Sequence, residues 1–192
     1  MAHVNGLGPG ALAGLGGSVA FGSIVPVIPT GAAVSAAAAY ARTSRPAEIV
    51  VVLLIAAGGA YFGDFVTYIV LRLAGAGLAV RVGWLQADDP ESAIRRLRAR
   101  IEENEVRMLI LSRLLPAGRI PVLLVAALGG YPLRRFAAAA VLSTLLWSAL
   151  YTVIGVLGEA IVPNTTAAVI VVAVAATLVT VVASLLRRPN RM

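Results

Sequence analysis

Three charged side chains in this 192-residue chain sit where charge is hardest to keep. Arg113 and Arg119 stand six positions apart in RMLILSRLLPAGRIPVLLVAALGGYPLRRF, the stretch Arg107–Phe136. Asp64 stands inside AEIVVVLLIAAGGAYFGDFVTYIVLRLA, the stretch Ala47–Ala74. An ionised arginine near a bilayer centre costs between ~2.5 and well over 10 kcal/mol, depending on the estimate. Such a charge persists when it faces a protein-lined cavity and has a partner there. A guanidinium presents a planar fork of donors that matches phosphate or carboxylate. Arg113 and Arg119 therefore read as a phosphate-binding pair. Asp64 reads as the ion-pair partner of one of them and as a proton-linked group, or, alternatively, as half of a permanent structural ion pair. Tyr68 and Arg72 follow Asp64 at i+4 and i+8 and share its helix face. Arg72 has a plainer reading too, as a side chain snorkelling to the interface.

Other chemistries are poorly supplied. The chain has no cysteine, so it offers no disulfide, thiolate or Cys-based metal site. Its one histidine, His3, lies near the terminus. No metal, cofactor or catalytic residue is expected, and an enzyme is the least expected class. The net charge of +7 comes from arginine alone, since lysine is absent. No aromatic-interleaved basic patch accompanies it, so nucleic acid is not an expected partner. Positive flanks of membrane helices account for the excess.

The elements that would position these charges follow from composition. Hydrophobic residues make up 59% of the chain and charged ones 13%, and the mean hydropathy is +0.91. That describes an all-α integral membrane protein. Met108–Leu128 carries Pro116, Gly118 and Pro121 between and beside its arginines. Broken backbone at membrane depth needs protein or water around it, so residues 108–131 read as a re-entrant hairpin. Ser18–Tyr40 has Pro26, Pro29 and Gly31 near its middle and reads either as one kinked spanning helix or as a second hairpin. Its likeness to the later one favours the hairpin. Broken segments at matching places in two halves predict an inverted repeat with the site where the breaks meet.

Around these lie an interfacial segment (1–17), a spanning helix (47–74), a second (136–158) and a C-terminal one (167–186). About 20 apolar residues suffice to span. Asp89-Pro90-Glu91 opens an amphipathic helix over 89–107, read as lying on the membrane surface or, alternatively, as docking a partner. The expectation is thus an inverted-repeat membrane domain over 18–158 with two re-entrant hairpins, about three spanning helices and an amphipathic surface helix. The arginines of 81–107, Arg134, Arg135 and the C-terminal arginines place those segments in the cytoplasm. Arg42 and Arg45 then fall outside, against the rule.

The stretch Ser112-Arg113-Leu-Leu-Pro116-Ala-Gly118-Arg119-Ile-Pro121, followed by Ala126, Ala127, Gly129, Phe136, Trp147, Tyr151, Gly155 and Gly158, resembles the signature half of the DedA family. That family is also called the SNARE-associated or VTT-domain family. The run Gly63, Asp64, Tyr68, Arg72, Gly75 matches a second family pattern. The resemblance extends from about Ser18 to Gly158 and includes facing hairpins. One departure stands out. The family usually carries a Glu just after the first hairpin's Pro-x-x-Pro, and this chain has Thr30-Gly31-Ala32 there. A proton-linked role for that Glu does not transfer.

The resemblance implies a transporter or flippase of the bacterial inner membrane that recycles undecaprenyl phosphate, as eukaryotic relatives scramble phospholipids. The expected partners are a lipid with a phosphate headgroup and protons, and a homo-oligomer is compatible with the sequence. Pro26, Pro29, Pro116 and Pro121 would shape the hairpins, and Trp147 and Tyr151 would pack or line a groove. The alternatives are a proton-coupled small-cation or drug transporter, with Asp64 as carrier, and a membrane assembly factor that transports nothing.

Overall fold

Prolines and glycines set the helix ends in the computed structural model, which describes residues 6–25, 30–81, 112 and 119–161. Helix α1, Pro9–Ile24, opens with proline at its first position. It stops at Val25, which is extended (φ −108°, ψ 101°) because the next residue is Pro26. Helix α2, Thr30–Ser44, is alanine-rich and ends just before Arg45-Pro46. Helix α3, Glu48–Ala74, has an acid in its first turn and closes at Gly75 (φ 71°), whose N–H donates to the Leu71 carbonyl at 2.9 Å. A short α4, Ala76–Arg81, follows.

Helix α5, Arg119–Leu128, carries Pro121 in its first turn, where a missing N–H breaks no helical bond. It ends in a Schellman-type cap. Gly130 takes φ 73° and the Tyr131 N–H donates to the Ala126 carbonyl at 3.0 Å. Helix α6, Leu133–Ile161, then runs on. Every regular element among the described residues is helical.

Helices α3 and α6 lie antiparallel. The Ser148 hydroxyl donates to the Leu53 carbonyl at 2.7 Å near one end, and Tyr68 stacks on Phe136 near the other. Helix α1 runs parallel to α3. The Leu7 N–H donates to Glu48 Oε2 at 2.7 Å, Gly16 meets Gly59, and Ala20 and Ser23 meet Gly63. Those glycines let the two backbones touch. Helix α2 packs on α6, where Ser35 Oγ donates to the Tyr151 carbonyl at 2.7 Å and Arg42 Nη1 to the Val156 carbonyl at 2.5 Å.

Helices α3 and α6 are long and apolar enough to cross a membrane. Both leave large apolar side chains exposed, among them Leu54, Phe62 and Leu73 on α3 and Leu142, Leu150 and Leu157 on α6. Lipid tolerates such faces, where water would not. Helix α5 differs. Its ten residues rise only about 15 Å, half of a ~30 Å hydrocarbon core. Val122 to Ala127 are all buried, so protein encloses it on every side.

Several expected boundaries shift. Residues 9–17 are continuous with 18–24 in one helix, α1, and Gly16 seats this first half against Ile55 and Gly59 of α3. Helix α2 runs past Tyr40 to Ser44, held by the bond from Arg42. Helix α6 starts at Leu133, where Pro132 offers its carbonyl to the Phe136 N–H at 3.0 Å, and it continues to Ile161. The amphipathic helix expected over 89–107 and the span expected over 167–186 lie outside the described residues, as do Pro26, Pro29, Arg113 and Pro116.

Candidate functional site

Three elements converge on Asp64. It is the seventeenth residue of the 27-residue α3, about 5 Å along the axis from that helix's midpoint. Helix α1 ends beside it, because Gly63 admits the backbone of Ala20 and the Cβ of Ser23. Helix α5 begins beside it, with Arg119 as first residue. Arg119 joins all three. Its Nε lies 2.6 Å and its Nη2 2.5 Å from the same oxygen, Asp64 Oδ1. Nη2 also donates to the Ser23 carbonyl in the last turn of α1. The Asp64 side chain is 7% exposed and that of Arg119 18%.

The electrostatics of the junction are consistent with this. The C-terminal carbonyls of α1 carry partial negative charge and favour a guanidinium. The N-terminus of α5 carries partial positive charge and favours a carboxylate. Asp64 is thus matched to the start of α5, Arg119 to the end of α1, and the two to one another.

A small cavity adjoins the pair. Its walls are Asp64, Arg119, Ser112 and Ser143, with Val122, Leu123, Phe136 and Ala140 supplying apolar surface. Its volume is about 20 Å³, room for roughly one water molecule. A phosphate group does not fit it in this state. The hydroxyl residues Ser112 and Ser143 were not anticipated from sequence. Phe136, Ala140 and Ser143 do fall at i, i+4 and i+7 on one face of α6, a spacing that marks them as neighbours.

The other expected residues lie elsewhere. Tyr68 and Arg72 share the α3 face with Asp64, yet they meet the far end of α5 rather than Arg119. Both donate to the carbonyl of Tyr131, Tyr68 Oη from 2.5 Å and Arg72 Nη1 from 2.9 Å. Trp147 and Tyr151 do not line the cavity. Trp147 is buried in the cluster where α1, α2, α3 and α6 meet, and Tyr151 packs beside it with ring centroids 5.2 Å apart. Among the described residues no three His, Cys, Asp or Glu side chains are grouped to hold a metal.

Comparison with known proteins places the chain. A family model of the VTT domain matches residues 28–157, well over half of it. That span contains Asp64, Arg119 and all of α2 to α5. No curated protein and no solved structure matches. With two apolar helices of spanning length and this match, the chain belongs to the VTT-domain family of membrane proteins, the DedA family.

Proposed function

We propose that this protein carries the phosphate headgroup of a lipid, undecaprenyl phosphate or a related phospholipid, across the bacterial inner membrane. The observation that carries the reading is the Asp64–Arg119 pair near the middle of α3, at the meeting of one helix end and one helix start. A short enclosed α5 suits the returning arm of a re-entrant hairpin, and α1 with α2 suits the facing one. In an inverted repeat of this kind the site lies where such half-helices meet.

Arg119 is the phosphate ligand, with Arg113 as its expected companion. The cavity holds about one water, and a headgroup that takes the guanidinium takes the place of Asp64 on it. Asp64, displaced from Arg119, is the proton-linked group of this proposal. Headgroup binding and proton uptake are thereby linked, while the lipid tail stays in the bilayer. The ends of the molecule fit one topology. Arg72, Arg81, Arg134 and Arg135 cluster at the α3 C-terminal end, the cytoplasmic one. At the opposite end Glu48 offsets Arg45, at 3.9 Å, and Arg42 is turned onto the α6 backbone.

A cation carrier would leave the carboxylate of Asp64 open to its cargo. Here a guanidinium stands 2.5 Å away in the place such an ion would take. The test is a proteoliposome assay of labelled polyprenyl phosphate flip, run beside a cation-flux assay. Wild type should accelerate flip. Arg119→Ala should abolish it while still inserting and purifying, and Arg119→Lys should restore part of it, since lysine keeps the charge and loses the fork. Cation flux without lipid movement, or normal flip by Arg119→Ala, would remove the reading.

A further inference from the structure

Helix α5 is held to α3 at both ends, and the second attachment lies roughly 12 Å along α3 from the first, the rise between Asp64 and Arg72. At that far end the backbone carbonyl of Tyr131 accepts two hydrogen bonds, from Tyr68 Oη at 2.5 Å and from Arg72 Nη1 at 2.9 Å. Arg72 Nη1 also donates to Tyr68 Oη at 2.6 Å, which closes a triangle. Tyr68 is fully buried and cannot yield, because its ring stacks on Phe136 with centroids 4.2 Å apart and planes 16° from parallel. Phe136 in turn lines the cavity beside Asp64 and Arg119.

We infer that Tyr68 and Arg72 are positioning residues: they clamp the Tyr131 carbonyl and so set the depth of α5, which places Arg119 against Asp64. The inference rests on the phosphate reading of Arg119 for its functional consequence, and on the hydrogen bonds alone for its structural one. The carbonyl they hold follows Gly130, whose φ of 73° marks the turn where α5 gives way to α6. The cap of α5 itself uses the Tyr131 N–H and leaves that carbonyl to the clamp. The clamp adds directional bonds to the apolar contacts of α5, which by themselves do not fix an axial position. A slip of 1 Å is enough to spoil a two-point ion pair.

The experiment uses the full chain in nanodiscs. Hydrogen exchange of the α5 amides, residues 119–128, is compared in wild type, Tyr68→Phe, Arg72→Lys and Arg72→Ala. Tyr68→Phe keeps the stacked ring and removes one bond, so α5 should exchange about tenfold faster. Arg72→Lys should restore most of the protection lost in Arg72→Ala. A second arm titrates polyprenyl phosphate in a double-mutant cycle. Tyr68→Phe should weaken binding severalfold in wild type and change nothing further in the Arg119→Ala background, because it acts through Arg119. Equal losses in both backgrounds, or unaltered exchange in Tyr68→Phe, would overturn the clamp. If wild type binds no polyprenyl phosphate, the proposed function falls and the exchange arm still decides the clamp.

Discussion

Replacing Gly63 by alanine tests whether α1 is seated on α3 as tightly as the candidate site requires. A Cβ built at Gly63 stands 2.5 Å from the Ala20 carbonyl oxygen and closer still to Ser23 Cβ. Ordinary contact begins near 3.4 Å, so α1 must retreat by about 1 Å. A backbone carbonyl cannot rotate aside as a side chain can. Gly58 lies in the same helix, and a Cβ there meets nothing within 4 Å. Both substitutions gain the same helix-propensity term, roughly 0.5–1 kcal/mol. That term cancels in the comparison and leaves the overpacking cost, typically ~1–3 kcal/mol. Gly63→Ala should therefore unfold more easily than Gly58→Ala by about that difference, measured by denaturant titration in detergent with far-UV circular dichroism. Gly63→Ala should also lose headgroup affinity, because the retreating Ser23 carbonyl leaves Arg119. Equal stability of the two variants would refute the close α1–α3 contact and the junction built on it.

Asp64→Asn leaves a largely buried guanidinium without its counter-charge and should cost about 3 kcal/mol of stability. Arg119→Ala removes the same ion pair from the other side and should also lower stability; unfolding curves of the two variants check both losses. Polyprenyl phosphate should restore stability to Asp64→Asn, read as a rise in its unfolding midpoint with added lipid, and flip by that variant should no longer vary with pH. For topology, a single cysteine at Thr43 in this cysteine-free chain should react in intact cells with an impermeant maleimide, and one at Pro132 should not. The reverse pattern would invert the orientation.

The charges at the site were legible because apolar sequence tolerates few of them. One deep carboxylate and two deep arginines leave little choice of partner, and the structure sets Asp64 on Arg119. The face shared by Asp64, Tyr68 and Arg72 was also legible from i, i+4, i+8 spacing. Its use was not, since a period shows which residues point one way and never what they meet. Tyr131 lies 59 positions from Arg72, and nothing local pairs them. The start of α1 at Pro9 was missed for a related reason. Its glycines look like helix breakers when the chain is read alone, and Gly16 becomes packing surface only once Gly59 faces it. Ser112 and Ser143 escaped because a serine in an apolar run usually bonds its own helix backbone.

The arrangement around Arg119 bears on why an anion rather than a cation should be the cargo. Arg119 is the first residue of α5, where the dipole of its own helix repels it. Two features offset that repulsion: the Asp64 carboxylate and the carbonyl of Ser23 at the end of α1. A phosphate that displaces Asp64 takes over the first of these, bringing negative charge to the guanidinium and to the start of α5 together. The exchange therefore trades one anion for another at a helix N-terminus, and the field at the junction changes little. A cation entering the same place would have to expel Arg119, and would then face the positive end of α5 with only Asp64 in its favour.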